Sequence, residues 1–264
     1  YPILAAALEA GIRMGPPAPA AQPAPKEWLA RLASLPLMKQ PGDSFLYDTA
    51  YDVLSVLIAR AAGTEPGTFL QQNLFEPLGM PDTSFSVPAG KLHRFVSAYA
   101  PQAAGLELTD DPETGQWSRE PAFESGAGGL VSTCDDILAF AAMLLNGGKH
   151  DGGQLLSGES VRLMTTDALS STQKSRSLNI PLDFSTGTWG MGVSIVTRSG
   201  QRWPPGSYGW SGGLGTHWMT DPGSGTIAVV MTQVELTSPA STRLFDDFSA
   251  AVLARGQAFK GQAH

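Results

Sequence analysis

Residues 41–63 read PGDSFLYDTAYDVLSVLIARAAG. The Pro-Gly pair near the start of this stretch predicts a turn. From residue 50 onward the pattern predicts a helix whose apolar side chains, concentrated at residues 53–58, leave almost no polar face. We therefore expect this helix to be central and buried. Tyr47 lies three residues before this helix.

Two signals predict where this helix begins and ends. Thr49 is a residue type favoured at the N-cap, and Asp52 follows three residues later, as in a capping box. Gly63 is suited to the left-handed conformation that commonly ends a helix. We therefore expect Thr49 to cap the helix that follows Tyr47.

The composition limits the classes of partner. The chain has 264 residues and a formal net charge of −7, without a cluster of Lys or Arg, so we expect neither nucleic acid nor an anionic membrane surface as a partner. Cys134 is the single cysteine and there are four histidines, which argues against an internal disulfide and a structural zinc site. The apolar runs are far shorter than the roughly 18 residues of a membrane span. We expect no cofactor and no metal, and the sequence leaves the compartment open.

The order of the predicted elements indicates an α/β or α+β fold. Helices are predicted at 3–13, 26–35, 50–62, 132–145, 157–166 and 237–255, and strands at 189–197, 215–221 and 226–233. Residues 222–225 (PGSG) predict a hairpin between the last two strands. We expect a mainly helical lobe at 1–187 and, at 188–264, antiparallel strands with a C-terminal helix.

Three segments together resemble the serine β-lactamase and penicillin-binding-protein-like superfamily. They are the stretch around Tyr47, the sequence GGLVSTCDD at 128–136, and YGWSGGLGT at 208–216. Each is weak alone, but they occur in the order in which the family has them. The resemblance implies a β-lactamase-like fold, with a helical lobe beside an antiparallel sheet that a C-terminal helix flanks.

The resemblance also implies roles for particular residues. In the family a serine forms an acyl-enzyme, and a tyrosine at the position of Tyr47 helps to move the proton of that serine. Thr49 stands near it, where the family has an asparagine. Trp210, Ser211 and Gly212 would line the substrate pocket.

Backbone N–H groups in the third segment also have an implied role. The backbone N–H of Gly213 would contribute to the oxyanion hole, where donors stabilise developing charge. Glu124, Ser125 and His217 are further candidates for the edge of the pocket, although a buried-loop or solvated role is the simpler interpretation of each.

One departure from the family pattern bears on the substrate. Trp210 replaces the Lys or His that in β-lactamases and peptidases meets a substrate carboxylate. An apolar ring suits a small neutral carboxylic ester, so the resemblance favours the carboxylesterase branch. A β-lactamase or D-amino-acid peptidase is the alternative within the same fold. A non-catalytic binding or sensor domain is the alternative from another class.

The nucleophile is the missing part of this site. The only Ser-x-x-Lys of the sequence is Ser171–Lys174, which follows Tyr47 and lies in a polar stretch that we expect to be a solvated loop. Ser211 fits Gly-x-Ser-x-Gly, but that motif requires a helix after the serine, and a strand is predicted there. We therefore expect the fold to be incomplete at its N-terminus and this chain alone to be inactive. The missing segment would be cleaved off, absent from this sequence or supplied as a separate chain, and in the last case it would be a partner.

Overall fold

The computed structural model describes residues 3–14, 17–177, 182–199, 202–237 and 243–261. Its helices are α1 (Ile3–Glu9), α2 (Pro25–Ala33), α3 (Ala50–Ala62), α4 (Pro66–Leu70), α5 (Glu76–Leu78), α6 (Cys134–Leu145), α7 (Gly158–Met164), α8 (Ser171–Arg176) and α9 (Arg243–Gly261). A π-helical turn, Gln71–Phe75, joins α4 to α5. Its strands are β1 (Ala98–Gln102), β2 (Gly105–Asp110), β3 (Lys149–His150), β4 (Gly153–Gln154), β5 (Gly187–Trp189), β6 (Ser194–Val196), β7 (Tyr208–Gly212), β8 (Thr216–Asp221) and β9 (Thr226–Met231).

The chain divides into two compact units. The first contains residues 1–77, 81–132 and 171–180, and the second contains 78–80, 133–170 and 181–264. This division differs from the predicted boundary at residue 187, because α6 packs against β9 and so joins the unit that contains the sheet. Residues 171–180 return to the first unit.

The first unit has a small aromatic core. Trp28 and Phe123 are each 1% exposed, and their ring centroids lie 4.9 Å apart. Val56 of α3 and Ala7 of α1 pack into the same cluster. This core holds α1, α2 and α3 against the segment that contains Phe123.

Helix α3 buries polar side chains and exposes apolar ones, the reverse of what its sequence predicts. Its buried residues are Asp52, Ser55 and Val56. By contrast, Val53 is 37% exposed, Leu54 is 45% exposed and Leu57 is 57% exposed. The expectation of a helix buried on all sides is therefore wrong for the described chain, because polar contacts hold one face and the apolar side chains lie on another.

The second unit is built on a five-stranded antiparallel sheet with the order β5-β6-β7-β8-β9. Neighbouring strands also follow one another along the chain, so the sheet is a meander. Successive side chains of a strand point to opposite faces. On β8, Trp218 contacts Phe140 of α6, whereas His217 stacks on Phe245 of α9. Helices α6 and α9 therefore cover opposite faces.

Several predicted elements are confirmed. The helix predicted at 132–145 forms as α6, and Thr133 caps it by accepting a hydrogen bond from the Asp136 N–H at 3.2 Å. The hairpin between β8 and β9 also forms as predicted. The single strand predicted at 189–197 is instead two strands, β5 and β6, joined by a turn. The helix predicted from residue 237 begins at Arg243 within the described residues, and 238–242 lie outside them.

The α+β class is confirmed by this mixture of helices and antiparallel sheet. In the part of the chain that the structure describes, no helix combines the length and apolar character needed to cross a membrane.

Candidate active site

Tyr47 lies in the first unit, in the irregular segment between the Pro-Gly turn and α3, and it is half-buried. The backbone around it is fixed on both sides. Two residues before it, the Phe45 N–H donates to Ser177 Oγ at 3.1 Å. The residue after it, Asp48, has a φ of 101°, a conformation that non-glycine residues rarely adopt and that is concentrated at functional sites. The chain therefore turns sharply immediately after Tyr47.

Thr49 does not cap α3 as predicted. It has helical backbone angles (φ −54°, ψ −23°) and its side chain makes no capping hydrogen bond. The Asp52 side chain, which a capping box requires, accepts hydrogen bonds from Ser125 and Ala127 instead. The turn begins instead at Asp48, whose carbonyl accepts from the Tyr51 N–H at 3.0 Å.

The carboxylate of Asp52 is bound by the loop at 124–127. Asp52 is 7% exposed, and it accepts hydrogen bonds from Ser125 Oγ at 2.6 Å and the Ala127 N–H at 3.2 Å. Burial raises the pKa of Asp52, and these hydrogen bonds partly oppose the shift. This network explains the role of Ser125, which orients Asp52.

The carboxyl group of Asp48 has a raised pKa. Burial, and then the charge of Asp52, raise the pKa of Asp48 to about 6. Two carboxylates that share an environment resist full ionisation of both. An acidic pair thus stands beside the segment of the candidate catalytic tyrosine, and the sequence motifs gave no indication of it.

Glu124 links two helices of the first unit. Its carboxylate accepts from the Gly67 N–H of α4 at 2.6 Å, and its carbonyl accepts from Ser55 Oγ of α3 at 2.7 Å. Burial raises its pKa. Glu124 also lines a cavity of about 380 Å³, together with Phe123 and residues of α3. The described contacts of Glu124 therefore connect helices α3 and α4.

Trp210 lies on β7 in the second unit. It is half-buried, and its ring meets that of Trp189 edge-on, with centroids 4.7 Å apart and an interplanar angle of 86°. Directly opposite Trp210 on the neighbouring strand is Trp218. This end of the strand therefore has an aromatic, uncharged face.

Gly212 and Gly213 end this strand in an open turn. The Gly213 carbonyl accepts from the Leu236 N–H at 2.8 Å, whereas the Gly213 N–H has no acceptor among the described residues. Gly213 is exposed, and no described atom lies within 4 Å of the place where a Cβ would stand. An N–H with no acceptor beside open space suits a donor to a developing oxyanion.

Ser211 and His217 lie side by side on the other face of the sheet. They are direct cross-strand partners, and Ser211 Oγ lies 2.9 Å from His217 Nδ1. His217 is only 9% exposed, so the interpretation as a solvated strand end is wrong. The covering helix α9 buries it. Recognising this from the sequence would have required the register of the β7–β8 hairpin.

The Ser-x-x-Lys at 171–174 lies on α8, not in the loop that was expected. Contacts with the segment before Tyr47 hold this six-residue helix: Gln173 Nε2 donates to the Gly42 carbonyl at 3.1 Å, and Arg176 pairs with Asp43 at 3.8 Å. Ser171 is exposed. Tertiary contacts that the local sequence does not reveal thus stabilise a polar helix.

The predicted site residues are divided between the units. Tyr47 and Thr49 belong to the first, and Trp210, Ser211, Gly212 and Gly213 belong to the second. Their catalytic roles stay predictions. In the described ranges no group of three or more His, Cys, Asp or Glu side chains could hold a metal ion.

Comparison with known proteins identifies the family. The Beta-lactamase family model matches residues 6–251. The chain belongs to the beta-lactamase family. Both the resemblance and the β-lactamase-like fold are thereby confirmed, and the family is one of serine hydrolases.

The relatives include uncharacterised proteins and esterases. Protein Rv1367c of Mycobacterium tuberculosis (strain ATCC 25618 / H37Rv) is 38% identical over 216 residues, covering 79% of this chain and 53% of the relative. Esterase EstB of Burkholderia gladioli is 26% identical over 227 residues, covering 78% and 54%. The chain spans about half the length of these curated relatives.

A solved structure agrees with the fold. EstCE1, a hydrolase with promiscuous acyltransferase activity, matches with a TM-score of 0.74 over 93% of this chain and 65% of that chain. At 22% identity this likeness shows the fold alone.

We predict that His217 makes stability depend on pH. Burial lowers the pKa of His217 from 6.5 to about 4, although the charge of Asp246 on α9 opposes the shift. Between these pH values the unfolded chain binds more protons, so the free energy of unfolding rises with pH. At about 1.36 kcal/mol per pKa unit, this group should cost about 3 kcal/mol on going from pH 7 to pH 4.

The measurement is urea unfolding at several pH values for the wild type and His217→Gln. Asp48 contributes in the opposite sense because its pKa is raised, so the difference between the two proteins is the informative quantity. His93→Gln, at an exposed histidine, is the matched control. Parallel pH curves for wild type and His217→Gln would contradict the prediction.

Proposed function

We propose that this chain is part of a serine hydrolase that cleaves small neutral carboxylic esters through an acyl-enzyme. Tyr47 takes part in proton transfer, Trp210 forms part of the apolar wall for the substrate, and the Gly213 N–H is a donor to the oxyanion. No cofactor is required for this chemistry.

The aromatic face of β7 is the observation that carries the choice of an ester. Trp210 meets Trp189 at 4.7 Å, at the position where a carboxylate-binding relative has a cation. A substrate anion placed against two indole rings would lose hydration without gaining a partner charge, which is costly. A neutral ester loses much less. The likeness to Esterase EstB supports the same choice.

The proposed chemistry has two steps. In the first, the serine oxygen bonds to the ester carbonyl carbon, its proton passes through the Tyr47 oxygen to the leaving alcohol, and the C–O bond to the alcohol breaks. In the second, water attacks the acyl-enzyme, gives its proton back to the serine oxygen and releases the acid. The Gly213 N–H stabilises the negative carbonyl oxygen in both.

We place the serine nucleophile on a polypeptide segment outside residues 1–264. No Ser-x-x-Lys precedes Tyr47 in the sequence. Helix α3 supports this placement, because it begins three residues after Tyr47 and exposes an apolar stripe that no described residue covers. The stripe consists of Ala50, Val53, Leu54, Leu57 and Ala61. These positions recur at helical spacing, so the stripe fits the apolar face of a second helix.

We predict that Tyr47→Phe slows ester hydrolysis. In the protein expressed from the complete reading frame, kcat/KM should fall roughly 10²- to 10⁴-fold, the usual contribution of general acid–base catalysis. The loss should be greater for an alkyl ester than for a p-nitrophenyl ester, since p-nitrophenolate leaves without being protonated.

Tyr99→Phe, at a half-buried tyrosine on β1, is the matched control and should leave both rates unchanged. Unaltered turnover in Tyr47→Phe would eliminate the assigned role. Turnover of nitrocefin faster than that of esters would favour the β-lactamase alternative.

Covalent labelling tests where the nucleophile lies. A fluorophosphonate probe should add no mass to the 264-residue chain, whereas the complete protein should gain one adduct per molecule on a serine outside this chain. Ser171→Ala is the control, because Ser171 belongs to the only Ser-x-x-Lys present. An adduct on Ser171 would refute an external nucleophile, and no adduct in either protein would favour a binding or sensor domain.

The apolar stripe makes a further prediction. Leu57→Asp should change the unfolding free energy of the isolated chain by no more than about 0.5 kcal/mol, as is usual for exposed positions. In the complete protein it should destabilise the fold and reduce labelling, because a docked helix would bury the new charge.

Leu106→Asp provides the comparison, since Leu106 is 60% exposed on β2, away from the stripe. It should be tolerated in both proteins. Equal tolerance of the two substitutions in the complete protein would show that the stripe is not covered.

A further inference from the structure

A chain of polar contacts connects β7 to the C-terminal helix. Ser211 Oγ on β7 lies 2.9 Å from His217 Nδ1 on β8, and His217 Nε2 lies 3.4 Å from Ser249 Oγ on α9. The imidazole also stacks on Phe245, with ring centroids 5.0 Å apart and an interplanar angle of 13°. Both ring nitrogens and one ring face of His217 are therefore occupied.

A neutral imidazole matches this environment. It has one N–H donor and one acceptor nitrogen, and each serine hydroxyl can donate or accept. The three side chains can thus satisfy one another without a formal charge, and Ser249 is only 1% exposed. The low pKa of His217 agrees with a neutral ring at physiological pH.

These contacts come one residue before the glycines that end β7. Gly212 and Gly213 have no side chains by which they could be held. The backbone anchors are the Gly212 carbonyl, which accepts from the Gly215 N–H at 3.1 Å, and the Gly213 carbonyl, which accepts from Leu236. Ser211 is the last residue of the strand with a side-chain anchor, so its position limits where the following N–H groups can point.

We infer that His217 is a positioning residue, which acts through Ser211 to fix the direction of the Gly213 N–H. This inference rests on the proposed function, in which that N–H stabilises the oxyanion. It makes α9 part of the support of the site, because Ser249 and Phe245 fix the imidazole in turn.

A catalytic Ser–His dyad is the competing interpretation of the same contact. Three observations argue against it. His217 is buried beneath α9, its second nitrogen faces a hydroxyl instead of a carboxylate, and its low pKa makes it a weak base at neutral pH. Trp210, which we assign to the substrate wall, lies on the opposite face of the strand from Ser211.

The first test uses the 264-residue chain. In ¹H–¹⁵N spectra, the Gly213 amide signal should move in His217→Phe and in Ser211→Ala, whereas that of Gly225, in the turn between β8 and β9, should stay in place. His217→Gln retains a donor and an acceptor and should restore part of the wild-type shift. An unmoved Gly213 signal in folded variants would overturn the inference.

The second test uses the complete protein and ester substrates. A displaced donor should lower kcat roughly 10- to 100-fold in His217→Phe, with KM within about twofold, because misplacement by about 1 Å affects the transition state most. A change confined to KM would overturn the inference, as would fluorophosphonate labelling of Ser211. If the wild type hydrolyses no ester, the proposed function fails, and the amide spectra still decide the positioning role.

Discussion

The hydrogen bonds to the Asp52 carboxylate determine how α3 is rotated about its own axis. Ser125 and Ala127 donate to this buried group, and one turn further on Ser55 donates to the Glu124 carbonyl. A buried carboxylate without partners is costly, so rotation of the helix would sacrifice these contacts. The polar side of α3 is consequently held against the loop at 124–127, and the apolar stripe faces away from the described residues. Helix α3 thus exposes leucines although it is rich in apolar residues.

The same constraint affects the chemistry available to Tyr47. The charge of Asp52 makes Asp48 harder to ionise, and both carboxyl groups stand close to the tyrosine in the sequence. A free phenol is a weak acid, and negative charges disfavour the phenolate. A tyrosine that shares a proton here needs a cation to act with it. This requirement agrees with our proposal that a lysine acts beside the serine nucleophile.

The sequence predicted the features that depend on nearby residues. The helix at 132–145, the PGSG hairpin and the family resemblance rest on local sequence, and each is confirmed. The predictions that failed depend on contacts with residues far away in the sequence. The burial of His217 depends on α9, 32 residues later in the chain, and α8 forms on a segment more than 120 residues earlier. The apolar residues of α3 wrongly predicted burial on all sides, because the contacts that bury Asp52 and Ser55 come from the distant loop at 124–127.

Successive side chains of β7 point to opposite faces of the sheet, so neighbouring residues can have different roles. In the proposed function Trp210 on one face forms the apolar wall for the substrate, and in the positioning role that we infer Ser211 on the other face anchors the strand to His217. Gly212 has little room for a side chain, because a Cβ there would lie 2.6 Å from Thr216 Oγ1. A backbone donor in such a turn cannot be supported by its own side chain. Rigidity at Gly213 therefore has to come from Ser211, two residues before it, and from the hydrogen bond that the Gly213 carbonyl accepts from the Leu236 N–H. Helix α9 contributes through His217.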